Sequence, residues 1–121
     1  MILKLLIALT TLFIISSAAR LDAQERIKFK KGENYTKIEY GFARGESKEY
    51  VLKVKEGQTC IFSIASVEAN AVFDVINTVN DNIIAREVTS WNGTTERGGE
   101  IKILVGSTRG GTEYTLYVSV Y

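Results

Sequence analysis

The chain has 121 residues, 15 basic and 14 acidic, a formal net charge of +1, a single cysteine, no histidine and no proline. Near-neutrality excludes the non-specific nucleic-acid or membrane-surface binding that needs a basic excess. The absence of histidine excludes Ser-His-Asp and Cys-His catalysis and removes the usual zinc or copper ligand.

The first element is a targeting segment. Lys4 supplies a short positive start, and Leu5 to Ile15 form an apolar run. That run is shorter than the roughly 20 apolar residues a spanning helix needs, and it fits a secretory signal core. Small and polar residues follow, with cleavage points after Ala19 and after Ala23, the second preferred. The expected domains are therefore a signal peptide over residues 1–23 and one folded domain over 24–121. Cleavage removes Lys4, Arg20 and Asp22 and leaves 98 residues with 13 basic and 13 acidic side chains, a neutral chain. The cleavage region holds no cysteine for a lipid anchor, and no second long apolar run follows. The expected location is periplasmic or secreted, free of the membrane once cleaved.

The remaining elements read as strands in chain order. Residues 26–31 place Ile27 and Phe29 on one face, and 36–42 do the same for Ile38, Tyr40 and Phe42. Residues 48–55 set Tyr50, Leu52 and Val54 against Val51, Lys53 and Lys55. In 59–65 Cys60, Phe62 and Ile64 share a face, so the lone thiol is expected inside the core rather than in a bridge between chains. Residues 71–76 align Ala71, Phe73 and Val75. Residues 83–89 are a weaker candidate. Residues 100–105 point Ile101, Ile103 and Val105 inward, and 113–120 align Tyr114, Leu116, Val118 and Val120. Alternation of period two with β-branched and aromatic residues is the strand signature. Turn residues separate the runs at 31–34, 44–47, 77–82, Asn92-Gly93, 97–99 and 106–111. The pattern predicts an all-β fold: an antiparallel β-sandwich, jelly-roll-like, of about eight strands after the cleaved signal helix.

Little catalytic chemistry remains. Asp74 and Asp81 are the only aspartates beyond the signal, and most glutamates sit in turns or alternate with lysines, as on solvated faces. The chain is expected not to be an enzyme and to need no cofactor; a carboxylate-dependent hydrolase is only a formal alternative. The oxygen-rich run Asn77 to Asn82 lacks the acidic density of a calcium site and reads as a polar turn. Among the arginines at 44, 86, 97 and 109, Arg97 and Arg109 lie in glycine-rich loops, where a long cation can reach a carboxylate of a partner. Trp91, before Asn92-Gly93, suits either an interface or sugar-stacking anchor or a cap on the sandwich. Two N-x-S/T sequons, at Asn34 and Asn92, matter only in a eukaryotic source.

The segment Gly41-Phe42-Ala43-Arg44-Gly45, followed by Glu49 to Thr59, resembles the "G-x-I-x-G…D-Y-V-L-x-A-x-A-G-Q-T" signature of bacterial periplasmic inhibitors of g-type lysozyme. These belong with the wider pre-peptidase C-terminal-like β-sandwich domains. Ile27 to Gly32 resembles the family's "V-x-F-x-K-G" start, Ala69 to Val75 loosely its "A-N-Y-F-N-V" strand, and Thr112 to Val118 its "A-x-Y-T-L-x-V" end. The resemblance spans nearly the whole chain after the signal. It implies a non-catalytic binding protein whose basic and aromatic loop residues fill the cleft of g-type lysozyme or another cell-wall hydrolase. The family carries much of this on an arginine-containing segment between its last two strands. Here that segment runs from Ile101 to Gly111, is shorter, has Lys102 for the first arginine, and keeps Arg109 alone in the loop. The expected partner-binding residues are Arg109, Lys102, Ser107, Arg97 and Trp91. A carbohydrate-binding or adhesion module using Trp91 with Tyr117 and Tyr121 is the alternative, with a glycan as partner.

Overall fold

A computed structural model describes residues 24–121; the expected signal peptide over residues 1–23, with both candidate cleavage points, lies outside the described residues. Every regular element among the described residues is a strand: β1 (Gln24–Arg26), β2 (Tyr35–Phe42), β3 (Lys48–Val54), β4 (Thr59–Ser66), β5 (Ala71–Asn77), β6 (Asn82–Val88), β7 (Ser90–Thr94), β8 (Gly99–Ser107) and β9 (Thr112–Val120). They form two sheets. One has the order β1-β3-β8-β5-β6 and the other β2-β9-β4-β7. The expected sandwich is present, with nine strands and one exception to antiparallel pairing: β1 runs parallel to β3.

The core lies between the sheets, where the alternation predicts it. Tyr50, Leu52, Phe62, Phe73, Val75, Ile103, Val105, Leu116 and Val118 are fully buried. Each such apolar side chain contributes about 1.5–3 kcal/mol by leaving water. Cys60 is buried among them, and burial pushes its thiol pKa up, so it is a packing residue and a poor nucleophile. One polar bond crosses the core: the hydroxyls of Tyr50 on β3 and Tyr114 on β9 meet at 2.6 Å and tie the two sheets together.

Several local expectations are corrected. The strand expected over 26–31 forms a ladder only at Gln24–Arg26, extended by the bond from Ile27 N–H to Val51 C=O at 2.8 Å. Beyond it the chain leaves the sheet edge to cross to the other sheet, while Ile27 and Phe29 still face the core. The alternation puts Tyr40 inside, yet it is 46% exposed, because β2 is an edge strand and its ring ends on the rim, 6.2 Å from the Tyr114 ring. The same alternation puts Val51 on the solvated face, yet it is buried, flanked in register by Arg26 and Lys102. Asn92-Gly93 has turn chemistry but lies inside β7, where Gly93 pairs with Cys60. A Cβ on Gly93 would come within 2.6 Å of the Trp91 ring, so the glycine is there to seat the indole. The weak candidate over 83–89 is a strand, β6, with register shifts against β5; Glu87 adopts φ 51° and its N–H donates to Asp74 Oδ1 at 2.7 Å.

The sandwich has two distinct ends. The turns Ala43–Ser47, Val67–Asn70 and Thr108–Gly111 gather at one, the arginine end. The opposite, lysine end gathers the segment 27–34, the turns 55–58, 78–81 and 95–98, and Tyr121.

Candidate partner-binding site

The arginine end is assembled around one buried side chain. Asn70, 1% exposed, closes the turn between β4 and β5. Its Nδ2 donates to the carbonyls of Arg109 (3.0 Å) and Gly111 (2.8 Å), and its Oδ1 accepts from Thr112 Oγ1 (2.8 Å). Its carbonyl accepts from Thr108 N–H at 2.9 Å. Ser66 Oγ accepts from the N–H groups of Asn70 and Ala71, both at 3.1 Å, and so fixes the turn that carries the amide. The β8–β9 loop is thus held by polar bonds from within the domain, as buried groups require.

Within that loop, Ser107 Oγ donates to Arg109 C=O at 2.8 Å and accepts from Arg109 N–H at 3.2 Å. The hydroxyl therefore shapes the turn. The Arg109 side chain is exposed, and its Nη2 donates to Glu68 C=O at 3.1 Å. The Ala43–Ser47 turn abuts the loop: a Cβ on Gly111 would meet Phe42 O at 2.8 Å and Arg44 N at 3.4 Å, so only glycine lets the two backbones approach. Exposed Arg44 consequently shares this end with Arg109. Between the Ala43–Ser47 and Val67–Asn70 turns lies an open cleft of about 590 Å³, walled by Ala43 on one side and Val67 and Glu68 on the other, with Val67 91% exposed. At the same end the Tyr114 ring packs against those of Phe42 and Tyr40, and the Lys48 ammonium sits 4.8 Å from the Tyr40 ring. Burial of the neutral phenols pushes the Tyr50 pKa up to about 12 and raises that of Tyr114 as well.

The five residues expected from the sequence do not form one surface. Arg109 and Ser107 share the β8–β9 loop. Arg97 lies in the β7–β8 turn, at the other end of the nine-residue strand β8, roughly 27 Å away at about 3.3 Å per residue. Lys102 sits mid-strand on the outer face between Val51 and Ile76, 3.9 Å from Glu49. Trp91 faces inward from β7, with its ring 5.3 Å from that of Phe62, so its area is spent on packing. Arg44, Val67 and Asn70 also lie at the arginine end and are not among the partner-binding residues expected from the sequence. The Arg44-Gly45 turn is visible in the sequence, but nothing in a single sequence joins it to a loop some 65 residues later.

No known family profile and no curated protein matches the sequence. Solved structures do match it. The periplasmic inhibitor of g-type lysozyme from Aeromonas hydrophila, PliG, superposes with a TM-score of 0.73 at 23% identity, over 82% of this chain and 96% of that one. PliG from Salmonella Typhimurium gives 0.65 at 15% identity, over 81% and 97%. The pre-peptidase C-terminal domain of Bacillus anthracis collagenase gives 0.61 at 16% identity, over 81% and 94%. The chain has the fold of these proteins. The β-sandwich shared by PliG and the collagenase domain agrees with the resemblance drawn from Gly41 to Thr59, and at these identities it is a likeness of fold.

Proposed function

We propose that this protein is an exported, non-catalytic inhibitor of a cell-wall hydrolase of the g-type lysozyme class, and that the arginine end is its working surface. The observation that carries the reading is Arg109: an exposed cation on a loop whose backbone is fixed by the buried Asn70 amide. A guanidinium presented this way would pair with the carboxylates of an acidic glycan-binding cleft and displace the glycan. The loop backbone is ordered before binding, so little entropy is lost on docking. The fold shared with PliG, the periplasmic location stated for those proteins, and the secretory character of residues 1–23 support the same reading.

The test is lysis of cell walls by a g-type lysozyme in the presence of the purified protein. Inhibition at micromolar concentration is expected. Arg109→Ala should weaken it about tenfold or more while leaving unfolding unchanged, the scale of an anchoring charge lost from an interface. Arg44→Ala should weaken it less. A protein that never slows the enzyme would end the proposal. Arg97→Ala is the control, since that side chain lies at the far end.

A further inference from the structure

The lysine end carries a second, separate surface. Phe29 and Val120 form the apolar floor of a cleft of about 500 Å³; Lys53 and Lys55 stand on one wall, and Tyr121 stands at its side. The walls are fixed. Tyr121 is locked to Thr59 by two backbone bonds, of 2.7 and 3.0 Å, while its side chain stays 59% exposed. Lys55 N–H donates to Gln58 Oε1 at 2.7 Å, and Val120 N–H donates to Asn34 C=O at 2.9 Å.

Lys53 and Lys55 make no ion pair among the described residues. Glu100 is the partner of Lys53 in strand register, but its carboxylate is held by Arg26 at 3.0 Å. The other ion pairs among the described residues are Lys37–Glu39 and Lys102–Glu49. Lys53 and Lys55 therefore face solvent with no such partner, and Lys28, Lys30 and Lys31 belong to the segment that carries Phe29. Glu33 is the one acidic residue of the cleft lining. Asn34 and Gln58 line the same cleft, and their amide nitrogens donate to no described group, which leaves amide donors beside the ammonium groups.

We infer that this cleft binds an anionic glycan, a sugar chain bearing carboxylate or phosphate groups. The exposed Tyr121 ring can stack on the sugar over the apolar floor, the two amides suit hydroxyls, and Lys53 and Lys55 pair with the acidic substituents. A neutral sugar would leave the lysines unused, and an acidic peptide would leave the aromatic floor without a flat partner. The inference is independent of the hydrolase reading, since Arg109 lies at the opposite end. Together they would describe a protein that holds a wall polymer with one end and faces an enzyme with the other.

Calorimetry with the purified protein separates the outcomes. The probes are galacturonate hexamer for carboxylates, a phosphorylated mannose oligomer for phosphates, chitohexaose as the neutral sugar and poly-glutamate as the acidic peptide. One or both acidic sugars should bind at least about tenfold more tightly than chitohexaose and poly-glutamate, and binding should weaken as salt rises. Which acidic sugar binds better names the substituent. The double change Lys53→Gln with Lys55→Gln should lose about tenfold in affinity at an unchanged unfolding midpoint, Tyr121→Ala should lose several-fold, and Arg109→Ala should lose nothing. Equal binding of chitohexaose or of poly-glutamate, full retention of binding by the double variant, or no binding of either acidic sugar at millimolar concentration would overturn the inference.

Discussion

The two ends of the sandwich solve the same problem differently. At the arginine end one buried amide, Asn70, satisfies the carbonyls of a loop about forty residues away in sequence. At the lysine end two neighbouring turns lock each other through Thr95. Its Oγ1 donates to Lys55 C=O and accepts from Gln58 N–H. Its backbone joins the same turn, with Gly57 N–H donating to Thr95 C=O and Thr95 N–H donating to Gln58 C=O. The first arrangement holds a loop from beneath and leaves its tip free to carry Arg109. The second closes a rim and leaves lysines around it. In both, the residues that fix the backbone are distinct from those that present charge, so stability and recognition can be varied separately.

The contrast can be broken most severely at Asn70. Asn70→Ala would remove three hydrogen bonds at once, the donors to the Arg109 and Gly111 carbonyls and the acceptor of the Thr112 hydroxyl, at about 1 kcal/mol each, so a loss of about 3 kcal/mol is expected in denaturant titration. The same variant should lose inhibition as well as stability, which a mere surface change would not do.

Next comes the tyrosine pair beneath that end. Tyr114→Phe leaves the Tyr50 hydroxyl without its partner and should cost about 1–2 kcal/mol, whereas the double Phe variant should recover most of it. Both phenols are held neutral by burial. Above pH 10 the unfolded chain releases these protons while the folded one keeps them, so stability falls as pH rises from about 10 towards the Tyr50 value of about 12. The slope in that window should approach about 1.4 kcal/mol per pH unit for each tyrosine, read from unfolding midpoints, and should vanish in the double variant.

Thr95→Val tests the other end and should cost about 1–2 kcal/mol, with no effect on inhibition. The smallest effect belongs to the charges themselves: Arg109→Ala and Lys53→Gln should each change stability by less than about 0.5 kcal/mol, since both side chains are exposed.

Much of the fold is legible in the sequence because one face of each central strand is buried. In β3, β4, β5, β8 and β9 the alternation marks that face directly. The edge strands are harder. β6 is exposed along most of its length, and β1 leaves its ladder after three residues. In β7 the Asn92-Gly93 pair imitates a hairpin turn, although Gly93 serves the packing of Trp91. The site divides similarly. The loop carrying Ser107 and Arg109 is recognisable, and the outward direction of Lys102 follows from its place between Ile101 and Ile103. The separation of Arg97 from Arg109 also follows from one strand, since the turns flanking β8 must lie at its opposite ends. The role of Asn70 is hidden, because a buried amide hub and an ordinary turn asparagine look alike in sequence.

The position of β9 carries a consequence for how the chain acquires its structure. β9 lies between β2 and β4 and is the hydrogen-bonding neighbour of both. Until residues 112–120 have emerged during synthesis, β2 has no strand to pair with and its sheet cannot close. Pairings of this sequence separation place folding towards the slow, millisecond-to-second range. For the export proposed above, a nascent chain whose second sheet stays open until the ninth strand arrives is well suited to passing through a narrow translocation channel before it folds.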